Sequence, residues 1–179
     1  MGSLAFTDVY DEHFRFVWRS LRRLGVFEAD VADAAQEVFV VVHRKLDGFE
    51  GRAKVSTWLF GICLRVAARR RSAPTRRREV HDDEAIAAQV DHADDAATTV
   101  ERRDERRVLE ALLDELSFDQ RAVFVLFELE AMTGDVIAEA LEIPLGTVYS
   151  RLRLARAAFE QAVRRERART RSQLSGEAR

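Results

Sequence analysis

The stretch "GTVYSRLRLARAAF", residues 146–159, puts two chemistries on one helix. Val148, Leu152, Ala155 and Phe159 recur at helical spacing and define a face that needs burial. Rotated away from it stand Tyr149, Ser150, Arg153 and Leu154, with Arg151 and Arg156 at the margins. A guanidinium offers paired donors that fit guanine O6 and N7, a hydroxyl donates or accepts, and leucine makes only apolar contact, as with a thymine methyl. Arginines at the margins suit phosphates, which position a helix without reading sequence. A plain surface helix with a solvated Arg side has the same composition, so the meaning of this face depends on its surroundings.

Catalytic and metal-binding patterns are missing from the sequence. It has no phosphate-binding Gly-rich loop and no HExxH, and Cys63, the only cysteine, excludes an intrachain disulfide and a Cys-rich zinc site. His13, His43, His81 and His92 have no ligand spacing. The acids Asp82, Asp83 and Glu84 fall where little can be buried, so no scaffold holds them in a catalytic geometry. The expectation is a protein that is not an enzyme and carries no cofactor and no metal.

The elements that must position the arginines are all helical by period. Tyr10, Phe14, Val17, Trp18 and Leu21 form one stripe, with Thr7 as its predicted N-cap. Val31, Ala35, Val38, Phe39, Val42 and Leu46 form a second, ending before Asp47-Gly48. "STWLFGICLRVAARR" makes a third, opening on a Ser56 or Thr57 cap, and Pro74 ends it. Thr98 with Glu101, and Ser117 with Gln120, fit capping boxes for two later helices. "TGDVIAEALEI", a turn at Pro144 and the opening helix then make a helix-turn-helix, closed by Ile137, Ala138 and Leu141 against Val148 and Leu152. The predicted fold is all-α, with two small helical domains and a flexible acidic linker. Its boundaries are 1–73, 74–97 (linker), 98–163, and a short basic C-terminal tail at 164–179.

Net charge is −2, yet the charges are segregated. Seven arginines and no acids lie between Arg65 and Arg78, while eight acids and no Lys or Arg lie between Glu79 and Glu101. From Arg151 to Arg171 the chain is basic again. Two basic blocks on either side of an acidic stretch nearly cancel in the sum, so the overall charge does not exclude DNA. No apolar run approaches the roughly 20 residues that cross a membrane, and no signal segment opens the chain. The expected location is cytoplasmic, with no membrane insertion.

The second module, "LDELSFDQRAVFVLFELEAMTGDVIAEALEIPLGTVYSRLRLARAAF", resembles region four of the bacterial RNA polymerase sigma factors. The first, through "DVADAAQEVFVVVHRKLDGFEG" and "STWLFGICLRVAARRR", resembles their region two. The likeness is to the extracytoplasmic-function (ECF) group and covers residues 7–72 and 105–160, about two thirds of the chain. It implies that the protein binds core RNA polymerase and directs promoter-specific initiation by recognising minus-ten and minus-thirty-five elements.

Carried residue by residue, the resemblance assigns core polymerase binding to Asp33, Gln36, Glu37, Val40 and Val41. Minus-ten DNA falls to the loop from Phe49 to Ser56, with Arg52, Lys54 and Ser56, and to Arg65 and Arg69. Minus-thirty-five DNA falls to Thr147, Tyr149, Ser150, Arg151, Arg153, Leu154 and Arg156. Arg65 and Arg69 replace the Asn and Asp often found there, which implies a different minus-ten preference. Val136 and Leu154 are smaller departures, the first in place of a Glu and the second of a polar or basic residue. Trp58 is expected to pack in the core. The usual further partner of such proteins is an anti-sigma factor that clamps both modules. The alternative reading is a helix-turn-helix transcriptional regulator acting without core polymerase, which has no need of the first module.

Overall fold

The computed structural model describes residues 4–51, 53–72 and 100–177 of the chain. Every regular element among them is helical. The first module comprises α1 (Phe6–Arg23), α2 (Glu28–Lys45) and α3 (Val55–Ser72), with a 3-10 turn at Leu46–Gly48. The second comprises α4 (Val100–Asp114), α5 (Phe118–Phe124), α6 (Gly134–Leu141) and α7 (Leu145–Glu177).

In the first module the three helices pack pairwise around a common core. Val17, Trp18 and Leu21 of α1, Val31, Ala35, Val38, Phe39 and Val42 of α2, and Leu59, Phe60, Cys63, Val66 and Ala67 of α3 are buried. Tyr10 and Phe14 share the azimuth of the α1 stripe but stay outside this core, Tyr10 exposed and Phe14 half-buried. Their rings instead meet Phe39 at the mouth between α1 and α2, Tyr10 tilted against it at 4.6 Å between centroids and Phe14 stacked at 5.9 Å.

Helix α1 stops at Gly25, whose positive φ of 85° lets the Val26 N–H reach back to the Leu21 carbonyl at 3.1 Å. A residue with a β-carbon is strained there and would also collide with the Arg71 and Arg121 guanidinium groups. Thr7 is not the N-cap of α1, because the helix begins one residue before it and Ala5 occupies the cap position. Likewise α3 starts at Val55, so Ser56 and Thr57 lie inside its first turn. The Thr57 hydroxyl is buried and directed at the Met132 sulfur, 3.9 Å away in the other module. Thr98 lies outside the described residues. The Ser117–Gln120 capping box forms in both directions at the start of α5.

Beyond Phe124 the helix widens into a π-turn at Val125–Leu129, which buries Val125 and Leu126. Ala131 then reverses the chain with a φ of 52°. The turn between α6 and α7 uses Glu142 in the same left-handed region, φ 54°, and the Ile143 N–H bonds back to the Ala138 carbonyl at 3.0 Å. Residues 164–177 do not form a separate tail. They continue α7 without a break, since Arg, Ala, Glu and Gln are strong helix formers and the run contains no proline. Arg164 with Glu160 and Arg169 with Glu166 add ion pairs at helical spacing.

The two modules pack on each other, α1 against α4 and α3 against α6. At this contact Arg121 of α5 is 1% exposed. Its guanidinium donates to the Arg22 and Arg23 carbonyls at the C-terminus of α1 and to Asp114 of its own module. Arg22 bonds Glu110 at 3.0 and 3.3 Å, and Arg23 pairs with Glu130. Burial lowers the Arg121 and Arg23 guanidinium pKa values, and the facing carboxylates oppose the shift.

Two serines test this packing with opposite signs. Ser20 Oγ is buried with no hydrogen-bond partner among the described residues, so Ser20→Ala is expected to leave stability unchanged or raise it by about 1 kcal/mol. Ser117→Ala removes an N-cap and is expected to cost about 1 kcal/mol. Urea unfolding of the two variants beside the parent measures both.

Candidate nucleic-acid interface

Helix α7 is held to its module by the face expected from its period. Val148, Leu152 and Ala155 are buried, and the half-buried Phe159 ring lies 4.7 Å from that of Phe124. Tyr149, Ser150, Arg153 and Leu154 point outward, with Tyr149 50% and Leu154 46% exposed. These outward residues differ in freedom. Tyr149 lies over the start of α6, so close to Gly134 that a β-carbon there would sit 2.7 Å from its hydroxyl. Ser150 donates its hydroxyl to the Thr147 carbonyl at 3.0 Å. Arg151 pairs with Asp119 at 2.5 Å. Arg156 pairs with Glu128 at 2.6 Å and covers the Phe127 ring. Arg153 forms no ion pair among the described residues, so its full donor set faces solvent.

A second candidate surface, of mixed charge, lies where the first module meets α6, with Arg44, Lys45 and Arg65 sharing one cleft with Glu50, Glu139 and Glu142. A cleft of about 560 Å³ is bounded by Phe49, Gly51, Ala53, Trp58 and Arg65, with Arg44 and Lys45 from the end of α2. Trp58 does double duty: it packs on the core and against Phe49, rings 5.0 Å apart, while also lining this cleft. Lys54 is exposed and Ser56 half-buried, and neither lines the cleft. Arg52 lies outside the described residues. Arg65 and Arg69 are both exposed, but Arg69 pairs with Glu37 of α2 at 2.9 Å.

The third candidate surface divides in two. Asp33, Gln36 and Val40 line an aromatic cleft of about 650 Å³ between α1 and α2, walled by Phe6, Tyr10, Phe14 and Phe39. Glu37 is turned toward α3, where Arg70 as well as Arg69 reaches it. Val41 is half-buried against the core. Sequence reasoning missed Arg121, Glu110, Glu130, Glu139 and Glu142. Only Arg121 leaves a trace in the sequence, as a charge flanked by Phe118, Ala122 and Val125 on an apolar face.

The Sigma-70 region 2 model matches residues 9–77 and the Sigma-70, region 4 model residues 106–159. The ECF RNA polymerase sigma-E factor of Escherichia coli (strain K12) is 30% identical over 141 residues, covering 75% of this chain and 74% of the relative. The chain belongs to the ECF sigma factors. The RNA polymerase sigma-H factor of Pseudomonas aeruginosa is 32% identical over 141 residues, covering 75% of this chain and 73% of that protein.

Two solved structures share the fold of this sigma factor. The sigma factor RpoE of Bartonella quintana, solved with the anti-sigma factor NepR, aligns with a TM-score of 0.65 at 18% identity over 89% of this chain and 96% of that one. CnrH, solved with the cytosolic domain of CnrY, aligns at 0.61 and 23% identity over 88% and 86%. As an ECF sigma factor the protein acts with RNA polymerase to direct initiation at promoters, and members of this family are initiation factors without catalysis of their own. Among the described residues, no helix is long and apolar enough to cross a membrane.

The two faces of α7 give a paired test of the geometry. Leu152→Asp buries a carboxylate without a partner and is expected to cost several kcal/mol, enough to unfold the second module. Leu154→Asp, two residues on and half exposed, is expected to change stability by less than about 1 kcal/mol. Circular dichroism during urea titration distinguishes them.

Proposed function

We propose that this sigma factor divides promoter recognition between its two modules. Residues 98–163 read the minus-thirty-five element, and residues 1–73 bind core polymerase and open the minus-ten element. The single observation that supports the first assignment best is the state of Arg153. It stands outward on the second helix of the helix-turn-helix without an ion pair, between flanking arginines that are already paired. A free guanidinium at the N-terminal half of that helix suits guanine in a major groove. Tyr149, Ser150 and Leu154 share its face and shape the neighbouring contacts. Thr147 opens the helix beside the phosphates. Arg151 and Arg156, braced by Asp119 and Glu128, take phosphates and set register.

For the minus-ten element, the cleft beside Phe49 and Trp58 is the pocket we assign to an unstacked base. Arg65, Lys54 and Arg52 hold the strand, with Ser56 at the loop's end and Arg69 further along α3. Moving a base out of the stack costs a few kcal/mol, which a pocket and backbone contacts offset. For core polymerase, Asp33, Gln36 and Val40 present a carboxylate, an amide and methyls around an aromatic cleft suited to a helix of mixed character. Glu37 and Val41 support that surface from behind. The protein acts where polymerase acts, in the cytoplasm, and an anti-sigma factor is the further partner in this reading.

Run-off transcription with purified core enzyme, followed by promoter-library selection, tests the assignments. Arg153→Ala is expected to cost about 1–3 kcal/mol at one minus-thirty-five position and relax the preference there. Arg156→Ala is expected to weaken all promoters alike and reduce the salt slope by about one. An unchanged selected sequence with Arg153→Ala refutes the choice of reading face. Val40→Asp is expected to lower affinity for core enzyme at least tenfold in a pull-down titration while leaving the fold intact, because Val40 is 44% exposed.

A further inference from the structure

Helix α7 carries more charge than its own packing uses. Ala162 is the last buried residue in its described part, and Gln161 to Ser172 holds five arginines against one acid, Glu166. These arginines divide by side. Arg165 turns to Glu115 of α4 at 2.9 Å, and Arg169 pairs with Glu166 at 3.6 Å. Arg164, Arg167 and Arg171 stand at i, i+3 and i+7, on the side that carries Arg153, and all three are exposed. Arg167 forms no ion pair among the described residues. Glu160, the one acid on that side among the described residues of α7, pairs with Arg164 at 3.4 Å. Both groups are largely exposed, and solvent leaves such a pair weak.

A row of guanidinium groups along a rod suits a run of closely spaced anions, and a nucleic-acid backbone is one. No aromatic residue lies between Glu160 and Ser172, so the row offers a single strand no ring on which to stack its bases. Duplex phosphates are the better fit. We propose that Arg164, Arg167 and Arg171 form a second DNA-contact surface, which binds phosphates of the duplex flanking the minus-thirty-five element. The inference rests on the assignment of the Arg153 side of α7 to the major groove of that element. Arg164 lies about 16 Å along the helix from Arg153, more than the width of a groove about 12 Å across. By Arg164 the helix has left the groove and passes over the phosphate strand that borders it. Arg167 and then Arg171, about 27 Å from Arg153, extend the contact outward. Such contacts add affinity and salt dependence without reading sequence.

The test uses holoenzyme reconstituted with the full chain, on duplexes that carry a mapped promoter. The triple variant Arg164→Gln, Arg167→Gln, Arg171→Gln keeps good helix formers at all three positions, so helicity by circular dichroism is expected to match the parent. It is expected to weaken promoter binding by about tenfold or more and to reduce the log–log salt slope by about two to three. The selected minus-thirty-five sequence is expected to stay the same. Arg165→Gln with Arg169→Gln removes charge from other sides of the same stretch and is expected to change the slope by less than about one. Duplexes in which flanking phosphates are neutral methylphosphonates, on one flank of the element at a time, locate the contact. One such set is expected to lower the parent's slope by the same amount and to erase its advantage over the triple variant. An unchanged slope, an equal loss per charge in the double variant, or a loss that persists on every neutral duplex overturns the proposal. The last of these assigns the row to an acidic protein surface. Arg153→Ala on the same duplexes tests the assignment beneath it. A relaxed preference at one base pair is expected, and an unrelaxed one overturns the groove assignment whatever the distal arginines do.

Discussion

A buried guanidinium with three partners sets the relation between the two halves of this molecule. At the C-terminus of α1 the Arg22 carbonyl accepts the Gly25 N–H, and the Arg121 side chain brings it a second donor from the other module and donates to the Arg23 carbonyl as well. Taking a guanidinium out of water is costly, and a site is tolerated only when its donors are met. Here backbone carbonyls, Asp114 and the negative end of the α1 dipole meet them together. Asp114, the one charged partner among the three, is itself largely exposed, so the buried cation is joined to solvent through its carboxylate. Two further ion pairs between modules, Arg22 with Glu110 and Arg23 with Glu130, lie around this point at largely covered positions.

That contact explains why some of the structure was legible in the sequence and some was not. The inward faces of α2 and α7 follow from a local period, so Val38 and Leu152 fall where their spacing puts them. The Ser117–Gln120 box is equally local, its two partners standing three residues apart. Period fixes azimuth but not depth of cover. Tyr10 and Phe14 share their stripe with Val17 and Leu21, yet they meet only the flank of α2 and leave a cleft. Arg121 is further still from legibility, because its partner lies 98 positions away and is a backbone carbonyl, which no residue type announces.

The candidate surfaces show the same division. The outward face of α7 was readable because burial of its other side fixes which residues point away. The residues we propose for minus-ten DNA and for polymerase were readable as residue types but not as groupings. Glu37 and Arg69, assigned by resemblance to different partners, meet in one ion pair between α2 and α3. A partner that recruits either residue has to compete with the other for it. The two surfaces of the first module are thus coupled through a contact that neither assignment contains.

The length of α7 has its own consequence. With 33 residues in one helix, it runs about 50 Å, well beyond the module that anchors its first turns. Eighteen residues make five whole turns, so Arg171 returns to the azimuth of Arg153, with Arg164 about 20° away between them. A rigid rod of this kind fixes phase as well as distance. Inserting a single residue after Phe159 would swing the distal arginines by about 100° relative to Arg153, while leaving composition and net charge almost untouched.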